Sequence, residues 1–375
     1  MHDPILLTPG PLTTSATVKQ AMLRDWGSRD SAFIAMNAAI RTRLPELAGA
    51  AESHVCVPVQ GSGTFAVEAT IGTLLPRDGK LLVLINGAYG RRMKKIAEVM
   101  GRAATALEWA EDRPVDPAAL DRRLAEDAGI THVAVVHCET TSGILNPIEP
   151  VAEVVARHGR HLLIDAMSSF GALPLDARAV PFTALMASSN KCLEGAPGMG
   201  FALIRRDALI RSEGNAHSLS LDLYDQWRGF EQNAQWRFTP PTHVVAAFAQ
   251  ALDEHAAEGG VAGRGARYAV NHRTLVDGME AMGFRCLLPR ALQAPIIVTF
   301  HMPADPAFVF AEFYDRLRER GFAIYPGKLT VADSFRIGCI GRIGTEEIGA
   351  ALEAIRLTLD EMGVASGAPA AAIAA

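Results

Sequence analysis

Short, continuous apolar runs alternate with amphipathic stretches between residues 50 and 205 of the chain. The runs at residues 80–85, 132–136 and 161–164 contain, after a polar first residue, only Leu, Val, Ile and Ala. A strand that is covered on both faces has such a sequence, whereas a half-exposed strand alternates apolar and polar residues. Helical stretches such as residues 91–100 separate the runs. This order of strand, helix and strand predicts an α/β fold with a large, mostly parallel sheet.

The pattern of elements changes near residue 255, where a long helix is predicted at residues 262–282 and a smaller α+β region follows. We therefore expect four parts in the chain. They are an N-terminal segment at residues 1–20 that packs with the small domain and the functional site, a large domain at 21–255, a small C-terminal α+β domain at 256–364 and a disordered, Ala-rich tail at 365–375.

Composition and charge argue against several classes of function. The net charge is −5 and no long basic run occurs, so no nucleic acid partner is expected. No apolar stretch approaches the roughly 20 residues of a membrane-spanning helix, and the first residues lack the pattern of a secretory signal. The five cysteines and eleven histidines show no metal-ligand spacing. We expect reduced thiols, a cytoplasmic location, no membrane contact and no bound metal.

Lys191 follows the apolar run at residues 184–187 and the three polar residues at 188–190. It precedes the Gly- and Pro-rich stretch at residues 195–200. A lysine is rarely buried without a partner. A covalent aldehyde cofactor is one good reason for such a lysine, because formation of a Schiff base consumes the amine. A surface lysine at the end of a strand is the alternative, and this motif alone does not decide between the two.

Asp165 follows the apolar run at 161–164 and precedes Lys191 by 191 − 165 = 26 residues. A carboxylate at the carboxyl end of a parallel strand lies in the crevice where such sheets bind ligands. Pyridoxal phosphate needs an anion at its pyridine nitrogen, because the protonated ring withdraws electrons from the reacting carbon. A helix-capping aspartate is the alternative, and it is less favoured beside Lys191. The pair predicts catalytic roles for both residues.

Ser62, Gly63 and Thr64, within the run 60–64, precede a helix that is predicted at residues 65–75. Small residues at the start of a helix leave backbone N–H groups and hydroxyls free to hold a phosphate. An ordinary capping turn has the same composition. Together with Asp165 and Lys191 the run favours a phosphate site.

In this order along the chain, these residues are similar to those of the class V aminotransferases, which belong to fold type I of the pyridoxal phosphate enzymes. The likeness covers nearly the whole chain. Its further motifs lie at residues 87–92, 139–143, 236–240 and 335–338. Within the class, residues 6–15, 25–30 and 190–198 most resemble the 2-aminoethylphosphonate–pyruvate transaminases. The resemblance implies the fold-type-I architecture, with a large sheet domain and a small C-terminal domain.

The resemblance also implies a role for each residue of the site. Lys191 would bind pyridoxal phosphate as a Schiff base and transfer the proton, while Asp165 would pair with the pyridine nitrogen. Ser62, Gly63 and Thr64 would hold the phosphate. The other cofactor-binding residues implied in this way are Tyr89, which stacks on the ring, Thr140, which bonds to the phenolate oxygen, Ser188, and Asn190, which helps to position the phosphate.

A homodimer with shared active sites is a further implication, in which the partner subunit supplies Trp236 and Thr239 to the phosphate. Arg336 would bind the acidic group of the substrate, because a guanidinium presents a planar fork that matches a carboxylate or a phosphonate. A structural arginine paired with Glu346 or Glu347 is the alternative.

The implied reaction is a transamination between 2-aminoethylphosphonate and pyruvate, which gives phosphonoacetaldehyde and L-alanine. Trp26, Ser28 and Arg29 are predicted to add selectivity for the phosphonate. An alanine– or serine–glyoxylate aminotransferase is the alternative, because it shares every cofactor residue. A lyase of the desulfurase kind needs a reactive cysteine on a mobile loop, and no cysteine here is placed for that. A regulatory protein on this fold would be expected to have lost the lysine or the aspartate.

Overall fold

The computed structural model describes residues 3–329 and 332–370 of the chain. Its strands are β1 (Ile5–Leu6), β2 (His54–Gln60), β3 (Lys80–Ile85), β4 (Ala103–Glu108), β5 (Ile130–Val136), β6 (Cys138–Glu139), β7 (Ile144–Leu145), β8 (His161–Asp165), β9 (Ala184–Ser188), β10 (Met199–Arg205), β11 (Ile297–His301), β12 (Phe322–Ala323), β13 (Tyr325–Pro326) and β14 (Ser334–Gly338). Its helices are α1 (Ala16–Ala21), α2 (Ser31–Glu46), α3 (Gly63–Leu74), α4 (Ala88–Val99), α5 (Pro117–Glu126), α6 (Ile148–Arg157), α7 (Arg206–Arg211), α8 (Leu223–Asn233), α9 (Thr242–Ala257), α10 (Gly260–Ala281), α11 (Phe310–Glu319) and α12 (Thr345–Met362).

A seven-stranded sheet with the order β2-β10-β9-β8-β5-β3-β4 forms the centre of the molecule. Strand β10 runs antiparallel to both of its neighbours, and the other pairs are parallel. The three apolar runs singled out in the sequence are the adjacent strands β3, β5 and β8. The predicted α/β fold with a large, mostly parallel sheet is therefore confirmed.

Helices cover both faces of this sheet, which explains the continuous apolar runs. Alternate side chains of a strand point to opposite faces. In β3, Leu82 and Leu84 belong to a core that includes residues of α2, α5, α6 and α9. Leu81 and Val83 belong to a second core with residues of α3, α4 and α8. Every position in such a strand is buried, so an alternating pattern does not arise.

A smaller antiparallel sheet, β11-β14-β13, lies in the C-terminal part of the chain with α10, α11 and α12. Its core contains the aromatic side chains Phe284, Phe300 and Phe335, whose ring centroids lie 5.7–6.3 Å apart. The N-terminal strand β1 pairs with β12 in a parallel arrangement, so the start of the chain packs here. The domain limits near residues 20, 255 and 364 remain a prediction.

The structure describes part of the segment for which a disordered tail was predicted. The N–H of Ala365 donates to the Asp305 carboxylate at 2.8 Å, and that of Gly367 donates to the Met282 carbonyl at 3.0 Å. Residues 371–375 lie outside the described residues. Over the ranges that the structure describes, no helix is both long and apolar enough to cross a membrane.

Candidate active site

A cavity of about 490 Å³ opens at the carboxyl ends of β8 and β9. This edge of a parallel sheet is where ligands bind in open α/β folds, because the connecting loops and helix starts meet there. The chain order brings residues from four separate segments to the cavity. Those predicted from the sequence that line it are Ser62, Gly63, Thr64, Tyr89, Asp165, Ser188, Asn190 and Lys191.

Lys191 lies in a tight turn just beyond β9. The N–H of Glu194 donates to the Lys191 carbonyl at 2.8 Å and closes this turn. The Lys191 Nζ atom donates to the Pro9 carbonyl at 2.5 Å, which brings the N-terminal segment over the cavity. A Cβ on Gly10 would lie 2.6 Å from the same Nζ atom, so a larger residue there would displace the lysine side chain. Burial lowers the pKa of Lys191 and favours the neutral amine that nucleophilic attack and proton abstraction require.

Asp165 is the last residue of β8 and is buried. One of its carboxylate oxygens accepts a hydrogen bond from the Met167 N–H at 2.9 Å. Burial raises the pKa of Asp165 to about 6, and that hydrogen bond opposes the rise. Within the described ranges no ion pair joins this carboxylate to a cation, so it is well suited to a protonated pyridine nitrogen.

The start of α3 forms one end of the cavity. Ser62 is the N-cap residue of the helix, but its side chain does not cap the helix. Its hydroxyl and the first helical N–H groups are therefore available to an anion. A Cβ on Gly63 would lie 2.3 Å from the Met167 sulfur atom, so a larger residue there would require that side chain to move. Thr64 Oγ1 accepts a hydrogen bond from Arg92 Nη1 at 3.1 Å, so a fixed positive charge stands beside this helix start.

Arg92 lines the cavity, although the sequence analysis assigned it no role. Its guanidinium lies 4.8 Å from the centroid of the Tyr89 ring. Arg92 follows Tyr89 by three residues in α4, and residues at that spacing share one face of a helix. That spacing was the signal in the sequence that could have identified it.

Tyr89 is held at the start of α4 by the buried side chain of Glu139, which accepts the N–H of Tyr89 at 3.1 Å and that of Gly90 at 3.4 Å. Burial alone would raise the pKa of the Tyr89 phenol. A hydrogen bond with Thr140 and the nearby positive charge of Lys191 outweigh burial and lower that pKa. Thr140 is thereby placed next to the ring that is predicted to stack on the cofactor.

Arg336 lies in β14 and is 1% exposed. Its Nη1 donates to the Thr140 carbonyl at 2.8 Å, and its Nε and Nη2 both donate to the Pro326 carbonyl at 3.1 Å. Within the described ranges it makes no ion pair, and the Glu347 carboxylate accepts the Gly344 N–H instead. The structural pairing with Glu346 or Glu347 is therefore not seen. A buried guanidinium whose partners are carbonyl oxygens is suited to an incoming anion.

The remaining predicted site residues lie away from this cavity in the single chain. Ser28, Arg29, Trp236 and Thr239 line a separate cavity of about 370 Å³. Trp26 packs against the core on one face of the large sheet. Their assigned roles require a second subunit or a movement, and they remain predictions.

Known proteins are similar in sequence to this chain over most of its length. Residues 15–336 match the family model described as aminotransferase class V. The chain is a class V aminotransferase. A 2-aminoethylphosphonate–pyruvate transaminase 2 of Burkholderia lata is 58% identical over 96% of this chain and 96% of its own length. A 2-aminoethylphosphonate–pyruvate transaminase of Pseudomonas putida strain KT2440 is 58% identical over 97% of this chain and 99% of its own.

Solved structures agree with this class V aminotransferase in fold. The alanine–glyoxylate aminotransferase of Nostoc sp. has a TM-score of 0.89 at 24% identity, with 96% of each chain covered. The pyridoxamine–pyruvate aminotransferase of Mesorhizobium loti has a TM-score of 0.87 at 25% identity, with 98% of this chain and 95% of the other covered.

The cofactor of this class V aminotransferase is pyridoxal phosphate, and the cavity fits it. Lys191 supplies the amine, Asp165 an anion and the start of α3 an anion-binding end, all around one cavity. The hydroxyl of Ser188 is buried there and has no partner among the described residues. A buried hydroxyl without a partner is costly, so it indicates that a polar ligand group belongs beside it.

Proposed function

We propose that this aminotransferase transfers the amino group of 2-aminoethylphosphonate to pyruvate and releases phosphonoacetaldehyde and L-alanine. The observation that carries the proposal is the 58% identity, over nearly the full length of both chains, to relatives named for this reaction. Arg336 supplies a physical reason. Its buried guanidinium offers several donors to one anion, and both a phosphonate and a carboxylate can accept them.

The protein's own residues divide the chemistry between them. When bound, pyridoxal phosphate supplies an aldehyde that bonds to amines and a ring that withdraws electrons from the adjacent carbon. Asp165 would keep the pyridine nitrogen protonated, and the α3 start with Arg92 would hold the phosphate, since all of them line one cavity. Arg336 orients the amino donor by its anionic end. The Lys191 amine takes the proton from the amine-bearing carbon of the donor and would pass it to the aldehyde carbon of the cofactor, because burial lowers the pKa of the amine and favours its neutral form.

The same residues serve both halves of the reaction. After phosphonoacetaldehyde leaves, Arg336 binds the carboxylate of pyruvate, and Lys191 moves the proton in the opposite direction to give L-alanine. A single cationic site suffices because the two anions are used in turn. Trp26, Ser28 and Arg29 are assigned to phosphonate selectivity on resemblance alone.

A cytoplasmic homodimer belongs to the proposal. Thr239 and Trp236 lie by a cavity away from Lys191, which is consistent with their serving the site of the partner subunit. Phe238 lies between these two residues in the sequence and lines the same cavity. It is 42% exposed in the single chain, and such a partner would cover it.

Steady-state turnover tests the proposed substrates. The purified protein with pyridoxal phosphate is given either 2-aminoethylphosphonate with pyruvate or serine with glyoxylate, and the amino acid product is quantified. We expect a kcat/KM for the phosphonate that is well above that for serine. A preference for serine with glyoxylate would assign the chain to the glyoxylate enzymes of the class instead.

A further inference from the structure

The turn that carries Lys191 is closed by an unusual residue. Glu194 is 3% exposed and has a φ of +57°, in the left-handed region that non-glycine residues seldom adopt. Its N–H donates to the Lys191 carbonyl at 2.8 Å, and the N–H of the following Gly195 donates to the Ser189 carbonyl at 2.8 Å. A large acidic side chain thus occupies a backbone conformation and a buried position that glycine would fill at lower cost.

The Glu194 carboxylate connects this turn to helix α10. Its Oε1 atom accepts hydrogen bonds from the Tyr268 hydroxyl at 2.5 Å and from Arg267 Nη2 at 2.7 Å. Arg264 Nη1 lies 3.5 Å from the same oxygen and also donates to the Cys192 carbonyl inside the turn. All three donors belong to α10. Charge-assisted hydrogen bonds, most of them buried, therefore join the turn to the helix.

The same residues of α10 hold the segment that follows β14. Arg267 Nη1 donates to the carbonyls of Gly341 at 2.5 Å and Ile343 at 2.8 Å. The Tyr268 hydroxyl accepts the Gly341 N–H at 3.2 Å. Arg336, in β14, precedes Gly341 by 341 − 336 = 5 residues. One buried cluster on α10 thus contacts the turn of Lys191 on one side and the continuation of the Arg336 strand on the other.

We propose that Glu194 is a positioning residue, which sets the separation between the Lys191 amine and the Arg336 guanidinium and thereby the length of amino donor that the site accepts. The proposal rests on the substrate-binding role of Arg336. A donor must present its amine-bearing carbon to Lys191 while its anion reaches Arg336. Small errors in that separation reduce the rate of proton transfer, because catalysis depends on near-attack geometry.

Glu258 provides a matched control. Its carboxylate accepts hydrogen bonds from Arg264 Nε at 2.7 Å and from Arg267 Nε at 2.7 Å. It therefore neutralises the same two arginines as Glu194, but it is the C-cap residue of α9, and within the described ranges no hydrogen bond or ion pair joins it directly to the Lys191 turn. Glu194→Gln and Glu258→Gln remove the same charge from one cluster, and only the first removes a carboxylate that belongs to the Lys191 turn itself.

Three readouts separate positioning from stability in the two holoenzyme variants. They are the thermal midpoint of unfolding, the pH midpoint of the absorbance of the bound cofactor, and the ratio of kcat/KM for 2-aminoethylphosphonate to that for 3-aminopropylphosphonate, which is longer by one methylene. We expect both variants to unfold at lower temperature. Only Glu194→Gln should move the absorbance midpoint and reduce the ratio, by about tenfold or more.

The proposal would be overturned if Glu194→Gln changed neither the absorbance midpoint nor the kcat/KM ratio of the two phosphonates. It would also be overturned if Glu258→Gln changed both quantities as much as Glu194→Gln does. Should Glu194→Gln fail to fold, Tyr268→Phe removes the hydroxyl that joins Glu194 to Gly341 and is expected to reduce the same ratio. The kinetic isotope effect on kcat, measured with a donor deuterated at its amine-bearing carbon, should also be larger in Glu194→Gln than in the wild type. The isotope effect is measured with an amino donor that the wild type turns over. If the wild type does not turn over phosphonates, the proposed function is refuted, but the isotope effect still tests the role of Glu194.

Discussion

At the scale of single residues, burial decides the chemistry of the site. Lys191 and Asp165 are opposite charges in one cavity, and burial shifts the pKa of each toward its neutral form. The shift keeps the lysine reactive and leaves the carboxylate in need of a cation. The sequence predicted both residues from their places at the ends of two strands. It could not predict the hydrogen bond of Lys191 with the Pro9 carbonyl, because the two residues are far apart in the chain.

The first prediction concerns the pH dependence of stability without cofactor. A rise in the pKa of Asp165 from 3.8 to about 6 corresponds to about 3 kcal/mol. Since the folded pKa is raised, the folded state binds the proton more tightly, and stability is lost as pH increases through this range. The cofactor-free Asp165→Asn variant should therefore be more stable than the wild type at pH 8, by up to about 3 kcal/mol, and nearly equal to it below pH of about 4. Chemical denaturation at several pH values measures the difference; a gap that does not change with pH would contradict the account.

The second prediction concerns Arg336. Charge-assisted hydrogen bonds contribute about 1.5–3 kcal/mol each, so Arg336→Gln should reduce kcat/KM for the amino donor by about 10- to 100-fold. The absorbance of the bound cofactor should remain that of the wild type, because Arg336 is assigned to the substrate. Arg336→Lys should recover only part of the loss, since lysine lacks the planar fork. Loss of the bound cofactor in Arg336→Gln would show instead that the arginine is structural.

At the scale of elements, periodicity predicted the strands well and the helix starts less well. Strands β3, β5 and β8 agree with the sequence-based bounds within two residues, because both faces of the sheet are buried. Helix α4 was predicted from residue 91, yet it begins at Ala88. The reason is the buried Glu139, which accepts the N–H groups of its first turn from 50 residues away. Local patterns carry no information about such a distant acceptor.

The third prediction follows from this arrangement of α4. Glu139→Ala leaves the N–H groups of Tyr89 and Gly90 and the Thr141 hydroxyl without their buried acceptor. An unsatisfied buried donor costs about 1–3 kcal/mol, so the free energy of unfolding should decrease by at least that amount. The affinity for pyridoxal phosphate should decrease as well, because the first turn of α4 carries Tyr89.

Glu98→Ala is the control for that measurement. Glu98 pairs with Lys94 on the exposed face of the same helix and is not among the described residues that line the cavity. It should change neither stability nor cofactor affinity appreciably, because exposed ion pairs contribute little. Equal effects of the two substitutions would contradict the assignment of Glu139 to the helix start.

At the scale of the whole molecule, the order of apolar runs and helices predicted a large, mostly parallel sheet and a smaller C-terminal α+β part. The likeness to a known family implied the same two parts, and the structure has both sheets. The pattern of elements did not predict that β1 would pair with β12, more than 300 residues away in the chain. Nor could it place Thr239 and Trp236, which lie around a cavity separate from that of Lys191.

The fourth prediction tests shared active sites by complementation. Lys191→Ala lacks the reactive amine, and Thr239→Glu places a negative charge where the phosphate of the partner's site is expected. Each variant alone should be inactive or nearly so. After the two are mixed, unfolded and refolded together, half of the dimers are hybrids with one intact site, so about a quarter of wild-type activity should return. No recovery, in a refolded mixture that is dimeric by light scattering, would contradict the shared site.

The measurement that tests the central claim most directly is a half-reaction followed by absorbance. The protein is loaded with pyridoxal phosphate and given 2-aminoethylphosphonate without any keto acid, with serine and alanine in parallel and Lys191→Ala as the inactive control. The account predicts rapid conversion of the cofactor to its pyridoxamine form with the phosphonate and with alanine, slow conversion with serine, and none in the variant. Faster conversion with serine than with the phosphonate would contradict the proposed substrate, and conversion at the wild-type rate in Lys191→Ala would contradict the role of the lysine.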